Sequence, residues 1–411
     1  MKIGIYINQS YRAGGGFYEA VGSTRNFGTD KFEYEYFSSN KDSFNFLKKS
    51  GLPVNFIRLS NLDRFFLFFR RATLNLMARI IPGNVKPVKL LKQIFPTYNR
   101  FESKFVNSGV DLVYFSSPEP NAVYLENLNF TITVWDLAHQ ELPFFPELKE
   151  HFCFETRDYF YKNVLPKSYA IIVGHELARE QLVKFYNQSR DKIFVVPFRP
   201  SMKIVEFESQ NILPHELIPP NGLPVDYVYY PAQYSAHKNH ISLIKAIRIL
   251  NKIRRINITL VCTGGDQGHL QFLKDVVEKY ELQDSVKFLP FQTDLDVFKI
   301  FKNAKALVMP SFIGPGTLPT MEAMHIGVPF LVPNFEKNIN FYGNACDFFD
   351  VHSKDDLADK IERIINDKPH RDDLVIRARD HYKKIELDSD IKFFTRHLER
   401  FNSYISIQSN L

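Results

Sequence analysis

The chain has few cysteines and no long apolar run. Three cysteines occur in 411 residues, Cys153, Cys262 and Cys346, and no two of them form a CxxC pair. This usage argues against a disulfide framework or a zinc site and fits a reducing cytoplasm. No segment reaches the roughly 18 consecutive apolar residues of a membrane span. The short apolar run at residues 2–7 is followed at once by Asn8 and lacks the long hydrophobic region of a signal peptide, so it predicts a first buried strand.

Charge is modest overall but unevenly distributed. The net charge is +6, whereas residues 58–104 alone carry ten basic and two acidic side chains, a local charge of +8. Residues 63–81 have the spacing of an amphipathic helix, with Arg64, Arg71 and Arg79 on one side and apolar residues opposite. Such a helix lies on an anionic membrane surface, or it packs on a core with its basic side in water. The surrounding charge favours a membrane surface or an anionic, lipid-linked acceptor. No nucleic-acid-binding module accompanies it, so no nucleic-acid partner is predicted.

The length and the pattern of the chain indicate two domains. A chain of 411 residues is too long for one typical core. Short β-branched runs alternate with helical segments in both halves, which indicates parallel sheets covered on both faces. Six prolines without clear periodicity in residues 197–224 predict a linker. The predicted fold is α/β, with two Rossmann-like domains whose parallel sheets face each other across a cleft. The predicted units are residues 1–200, a linker at 201–225, residues 226–385, and a terminal helix at 386–411 that crosses back to the first domain.

Residues 310–329 lead from a predicted buried strand into a helix. The loop contains Gly314 and Gly316, and the helix carries one carboxylate, Glu322. A helix start behind a glycine-rich loop presents unpaired N–H groups and the positive end of the helix dipole, which suit a phosphate. Glu322 lies one turn inside, where it can accept from hydroxyls of the group that the phosphate carries. The pattern indicates a nucleotide-sugar diphosphate site, although an ordinary strand-loop-helix turn has the same features.

Two further loops of the second half also follow predicted strands. In residues 230–240, Lys238 stands at the mouth of a helix, where it binds a diphosphate or is an ordinary surface lysine. Residues 263–268 contain Gly264, which permits close approach of a ligand or simply turns the chain. Loops at the carboxyl ends of parallel strands meet at one edge of the sheet. Three such loops in order therefore favour a ligand site over three unrelated turns.

This ordered set resembles the second domain of glycosyltransferase family 4, the retaining enzymes of the GT-B fold, over residues 226–366. In that family an arginine and, five residues later, a lysine bind the diphosphate. Gln233 and Lys238 stand at these two places. The last motif of the family has two glutamates eight residues apart, and here Gly314 replaces the first whereas Glu322 matches the second. In the family the first contacts the transferred sugar and the second contacts the ribose. The resemblance thus implies that Glu322 binds ribose, and it leaves the sugar contact open.

The resemblance implies further donor contacts. The loop Gly14–Gly16 matches the first glycine loop of the family, whose N–H groups approach the phosphate or the acceptor. The base is bound through backbone groups, here near Phe291. The implied donor-binding residues are Gly15, Gly16, Gln233, Lys238, Gly264, Phe291, Gly316, Thr317, Leu318 and Glu322.

A polar segment ends a predicted strand in the first half. The strand at residues 130–134 is followed by Trp135, Asp136 and, three residues on, His139. It is similar to a His-Asp-x-x-His-like segment that lines the cleft beside sugar and acceptor in family members, with Trp135 in place of the first histidine. Asp136 and His139 are therefore candidate catalytic residues with Lys238 and Glu322, although a lone histidine is also often structural.

The function that the resemblance implies is transfer of a hexosyl or deoxyhexosyl group, with retention, from a nucleotide-diphosphate sugar to a glycan or lipid-linked acceptor. The pattern looks like that of bacterial surface-polysaccharide enzymes, in the cytoplasm or on the inner face of the cell membrane. Enzymes of this fold lack a DxD metal motif, so neither metal nor cofactor is expected. The alternatives are a nucleotide-sugar epimerase of the same fold, a phosphorylase, and a catalytically silent nucleotide-binding subunit of a glycan-assembly complex. No lysine site for the pyridoxal phosphate of a phosphorylase can be identified.

Overall fold

The computed structural model describes residues 1–10, 15–23, 31–58, 100–210, 212, 214–219 and 222–409. The predicted basic helix at residues 63–81, most of the basic segment 58–104, and Gly14 of the first glycine loop lie outside these residues. Within them, no helix combines the length and the apolarity that crossing a membrane requires.

The first domain is built on a parallel sheet of seven described strands in the order β3-β2-β1-β4-β5-β6-β7. The strands are β1 (Lys2–Tyr6), β2 (Glu33–Ser38), β3 (Val54–Phe56), β4 (Leu112–Phe115), β5 (Asn129–Val134), β6 (Ala170–Val173) and β7 (Ile193–Val195). Every residue of β4 and β6 is buried, as expected for central strands covered on both faces. The described helices of this part are α1 (Gly15–Gly22), α2 (Lys41–Lys49), α3 (Arg100–Asn107), α4 (Ala138–Glu141), α5 (Pro146–Lys149), α6 (Cys153–Val164) and α7 (Glu176–Tyr186).

The linker contains a helix, α8 (Met202–Ser209), that the sequence pattern did not predict. It begins at Ser201, whose side-chain oxygen accepts from the N–H of Ile204 at 3.2 Å. Ile204 is buried in the core of the second domain, and the Phe207 ring packs on Phe298 with centroids 5.6 Å apart. Although prolines surround it, this part of the linker therefore folds as a piece of the second domain.

The second domain has a parallel sheet of six described strands in the order β10-β9-β8-β11-β12-β13. They are β8 (Tyr227–Pro231), β9 (Thr259–Thr263), β10 (Val286–Leu289), β11 (Ala306–Val308), β12 (Phe330–Pro333) and β13 (Asp347–Phe349). The helices that follow α8 are α9 (His240–Arg248), α10 (Leu270–Lys279), α11 (Asp294–Asn303), α12 (Leu318–Ile326), α13 (Glu336–Tyr342), α14 (Lys354–Asn366) and α15 (Lys368–Leu387). In both sheets the strand order reverses beside the first strand, which is where α/β proteins bind ligands. The predicted α/β fold of two Rossmann-like domains is confirmed.

The last helix, α16 (Ile391–Ser409), packs on the first domain. Its residues Phe394 and Leu398 are buried in the same cluster as the apolar residues of β1. Just before the helix, the Asp390 carboxylate accepts from the backbone N–H of Val195 at 2.9 Å and from the guanidinium of Arg179. The core of the first domain is thus completed by residues near the carboxyl-terminal end of the sequence.

Candidate active site

The carboxyl ends of both sheets face a cleft with two connected chambers. The larger chamber has a volume of about 590 Å³ and the smaller one about 200 Å³. Gly15 of α1 and Leu318 of α12 line both chambers. A Cβ atom on Gly15 would lie 3.6 Å from the Leu318 side chain, so the two domains nearly touch where the chambers join. A ligand longer than either chamber could extend through this junction.

The loops after β8 and β9 form the floor of the larger chamber. A Cβ atom on Gly264 would lie only 2.1 Å from the carbonyl oxygen of Ala232, so no other residue fits at this position without movement of the backbone. The glycine thus lets the two loops lie in contact and brings Gln233 beside Gly264 on the floor. Phe291 lines the same chamber at its rim and is 66% exposed.

Glu322 lines the wall of the larger chamber. Its side chain is buried, and one carboxylate oxygen accepts from the backbone N–H of Ser201 at 3.2 Å. Burial raises the pKa of Glu322 to about 7, against the opposing effect of the hydrogen bonds from Ser201. The chamber therefore presents a carboxyl group that changes its charge near neutral pH, with one oxygen already held by the linker.

Lys238 ends the turn after β8, and its side chain is only partly exposed. Within the described part of the chain, no hydrogen bond or ion pair engages its ammonium group. Burial lowers the pKa of Lys238, while the carboxylates of Asp136 and Glu147, which belong to the first domain, oppose this shift. Lys238 lines neither chamber in this arrangement. Among the described residues, the groups that favour its positive charge are these two carboxylates of the first domain.

Asp136 lines the smaller chamber and favours the charged form of Lys238. One of its oxygens accepts from the Arg157 guanidinium at 2.6 Å and from the backbone N–H of Ala138 at 2.9 Å. Burial alone would raise the pKa of Asp136, but Arg157, this N–H and Lys238 together hold it below the usual value. Asp136 is therefore ionised at neutral pH, which suits it to stabilise positive charge and not to accept a proton.

His139 lies in the core of the first domain, not in the cleft. Its ring is fully buried on α4, and one ring nitrogen is 2.8 Å from the hydroxyl of Tyr186. The ring stacks on Tyr161, and burial lowers the pKa of His139 to about 4. The structure corrects the expectation that His139 faces the cleft, because the short helix after Asp136 turns its side chain inward.

Residues at the start of α12 divide between the two chambers. Gly314 and Thr317 line the smaller chamber. The N–H of Gly316 donates to the Tyr342 hydroxyl at 2.9 Å, so it is already satisfied inside the protein. Pro319 occupies the first turn of α12 and has no N–H to offer. Fewer backbone donors of this stretch are thus available to a ligand than the glycine-rich sequence suggested. Leu318 is the residue of the stretch that lines both chambers.

The sequence of the second domain matches a known protein family. Residues 220–381 fit the family model described as glycosyl transferases group 1. The second domain is a group 1 glycosyltransferase domain. The O-antigen chain mannosyltransferase B of Escherichia coli is 23% identical over 203 residues, which are 49% of this chain and 53% of that protein. A D-inositol 3-phosphate glycosyltransferase of Stackebrandtia nassauensis is 22% identical over 233 residues, 54% of this chain and 51% of that protein. The chain spans about half the length of these curated relatives.

The likeness to solved structures covers both domains of the chain. HepE of Anabaena, in complex with UDP and glucose, has a TM-score of 0.66 at 15% identity over 98% of this chain and 99% of that one. WaaG, a glycosyltransferase involved in lipopolysaccharide biosynthesis, has a TM-score of 0.64 at 14% identity over 95% of this chain and 99% of that one. The arrangement of two domains around the cleft is thus the GT-B fold.

The group 1 domain contacts the first domain through side chains that sequence patterns did not single out. The Tyr18 hydroxyl of α1 donates to Asp294, at the rim of the larger chamber. On the other side, a carboxylate oxygen of Glu147 accepts from the backbone N–H of His237 at 2.8 Å, one residue before Lys238. No local signal marks such pairs, because each residue looks like an ordinary surface residue of its own helix or loop.

Across residues 1–10, 15–23, 31–58 and the described part of 100–409, no three or more His, Cys, Asp and Glu side chains are grouped so that they could hold a metal ion.

Proposed function

We propose that this protein is a retaining glycosyltransferase that moves a hexosyl or deoxyhexosyl group from a nucleotide-diphosphate donor to a glycan or lipid-linked acceptor. The observation that carries the proposal is the match of the second domain to group 1 glycosyl transferases, together with the cleft beside it. In this cleft a chamber lined by Gly264 and Glu322 adjoins a second chamber lined by Asp136. A likeness to an O-antigen mannosyltransferase supports a role in the synthesis of a bacterial surface polysaccharide.

In this proposal the nucleotide occupies the larger chamber. The carboxylate of Glu322 accepts from the ribose hydroxyls, and backbone groups near Phe291 bind the base. The diphosphate lies toward the junction, beside Gln233 and the N–H of Leu318. Gly15, Gly16 and Thr317 are close by. Gly316 has no role, because its N–H already donates to the Tyr342 hydroxyl. Lys238 supplies the positive charge, because its ammonium has no partner in the described protein. Its neutralisation of the diphosphate is the reason that we assign no metal and no cofactor.

The sugar extends through the junction into the smaller chamber. The bond between its anomeric carbon and the diphosphate oxygen breaks as the acceptor oxygen forms a bond on the same face, and the departing diphosphate takes the acceptor proton. Lys238 stabilises the negative charge on the leaving group, and ionised Asp136 stabilises the positive charge that develops on the sugar ring. No strong protein base is required, and His139 takes no part.

The test is isothermal titration calorimetry with UDP, GDP and dTDP, followed by an assay of sugar transfer from the nucleotide sugar that corresponds to the tightest ligand. We expect one of the three to bind and its sugar nucleotide to be consumed only with an acceptor. Absence of binding by all three would overturn the proposal. Consumption without an acceptor would favour the epimerase, and binding without turnover would favour the silent subunit.

We also place the reaction in the cytoplasm or on the inner face of the membrane, where the basic segment 58–104 would contact anionic lipid or acceptor. This rests on its local charge of +8. Replacement of Arg64, Arg70 and Arg71 by glutamate is expected to reduce cosedimentation with anionic vesicles. Unchanged cosedimentation would count against the membrane contact.

The raised pKa of Glu322 makes a pH prediction for ribose binding. An ionised carboxylate accepts from two hydroxyls, so nucleotide affinity should rise several-fold as pH increases through about 7, the pKa of Glu322. The groups that act on this carboxyl are Ser201 from the linker, Asp294 from α11 and Tyr229 from β8. In Glu322→Gln the affinity should be lower and its change between pH 6 and 8 should be smaller. Calorimetry compares wild type and Glu322→Gln with the same nucleotide, so the titration of the nucleotide's own phosphate affects both proteins equally. If the affinities of the two proteins change with pH in parallel, the assignment of Glu322 to the ribose is contradicted.

A further inference from the structure

One buried acidic side chain of the cleft has no hydrogen-bond or ion-pair partner in the part of the chain that the structure describes. Glu19 of α1 lines the smaller chamber and is only 6% exposed. One of its carboxylate oxygens is completely buried, and neither oxygen has a hydrogen-bond or ion-pair partner among the described residues. A buried carboxyl without a partner is unfavourable to folding, and an apolar residue there would avoid the cost. Since α1 otherwise buries apolar side chains such as Phe17 and Ala20, the packing of this helix does not require a glutamate.

Glu19 faces the chamber in which a sugar contact is missing. Gly314, which stands where related sequences have a sugar-binding glutamate, lines the same chamber. Gly314 has a φ of +154°, a conformation that residues with a side chain rarely adopt, so a glutamate could not stand there without strain. A carboxyl group for this chamber therefore has to come from elsewhere in the fold.

The chamber suits an uncharged, polyhydroxylated ligand. Its lining includes three carboxyl groups, from Glu19, Asp136 and Glu141, and no lysine or arginine of the described chain. An anionic group such as a uronate would find no cation in this lining, since the nearby Arg157 and Lys337 are already paired with Asp136 and Glu141. The Trp135 ring packs against Gly16 and supplies an apolar surface of the kind on which sugar rings lie.

We propose that Glu19, from the first domain, binds hydroxyl groups of the transferred sugar and takes over the contact that Gly314 cannot make. This inference rests on the proposed function, and it adds that the sugar is neutral. Burial raises the pKa of Glu19 to about 8 and Arg199 opposes the shift, so the group is mostly a neutral carboxyl at pH 7. A neutral carboxyl both donates and accepts, which matches the two roles of a sugar hydroxyl.

The test compares affinity for a nucleoside diphosphate with affinity for its sugar nucleotide, using UDP with UDP-glucose and UDP-glucuronate, and GDP with GDP-mannose. We expect Glu19→Ala to bind UDP or GDP within about twofold of wild type and to bind the neutral sugar nucleotide at least about tenfold more weakly. Glu19→Gln, which keeps one donor and one acceptor, should recover most of this loss. Glu155→Ala, an exposed glutamate of the same domain, should change neither affinity.

Glu19→Met separates binding from folding, because it removes both oxygens and keeps the length of the side chain. We expect it to melt at or above the wild-type temperature and to lose sugar-nucleotide affinity as the alanine variant does. If Glu19→Met or Glu19→Ala binds nucleotide normally and keeps wild-type affinity for the sugar nucleotide, the proposed role of Glu19 is overturned, but the proposed function is not. Equal weakening of nucleotide and sugar nucleotide would also overturn the role of Glu19. Wild-type protein that binds no nucleotide would overturn the proposed function and this inference together.

Discussion

Replacing Lys238 with alanine is expected to weaken the binding of nucleoside diphosphates by about 30-fold or more. Loss of one partner from a desolvated charge pair costs about 2–5 kcal/mol, and 1.4 kcal/mol is a factor of ten in affinity. The effect should be large because the ammonium group has no partner inside the described protein and burial already lowers its pKa. Burial of this charge therefore lowers the stability of the unliganded protein, and a bound diphosphate would compensate by pairing with the ammonium group. Calorimetry on the two proteins with the tightest-binding diphosphate measures the difference.

Two controls show whether the effect belongs to the diphosphate. Lys279→Ala, at an exposed lysine near the end of α10, should bind like wild type. The corresponding nucleoside monophosphate should lose less affinity than the diphosphate in Lys238→Ala, since it lacks the second phosphate group. An equal loss for both ligands, or no loss for either, would remove Lys238 from the proposed diphosphate site.

Substitution of Gly264 by alanine is expected to disrupt the second domain locally and to abolish tight nucleotide binding. The added methyl group would lie 2.1 Å from the carbonyl oxygen and 2.6 Å from the carbonyl carbon of Ala232. Ordinary overpacking costs about 1–3 kcal/mol, and this clash should exceed it because backbone, not a flexible side chain, has to move. We expect a loss of more than about 3 kcal/mol in the free energy of unfolding, measured by urea denaturation. The floor of the larger chamber would move with the backbone.

The next residue provides a matched control for this change. A Cβ atom on Gly265 would meet no atom within 4 Å. Gly265→Ala adds the same methyl group one residue further along the same loop, so it should keep near wild-type stability and nucleotide affinity. Equal behaviour of the two variants would mean that the close contact between the loops does not constrain this part of the chain.

Regular elements with strong local patterns were predictable from the sequence. The bounds of α12 and α14 were predictable because Pro319 and Gly327 mark the ends of α12, and Ser353 precedes the amphipathic spacing of α14. The strands β3 and β13 were missed because a polar residue, Asn55 or Asp347, interrupts each short apolar run, whereas the equally short β7 and β11 are wholly apolar. The helix α8 was also missed, because eight residues between prolines carry little periodicity.

The candidate site was harder to predict than the fold. Asp136 and His139 stand in one sequence motif, yet a single short helix sends one into the cleft and the other into the core. The order of the loops predicted that Gly264 and Glu322 lie at the same edge of the sheet, and both line the larger chamber. Glu19 was not singled out from the sequence, because its proposed role follows from a buried carboxyl oxygen without a hydrogen-bond partner. Such a missing contact is visible only in a structure.

The return of α16 to the first domain has a consequence for biosynthesis. A ribosome makes the strands of the first sheet early, but Phe394 and Leu398, which cover the same core as β1, follow about 390 residues later. Until then the nascent first domain exposes an apolar surface, while the second domain can already close around its own sheet. We therefore expect the final packing of the first domain to wait for the synthesis of α16, after the second domain has been made.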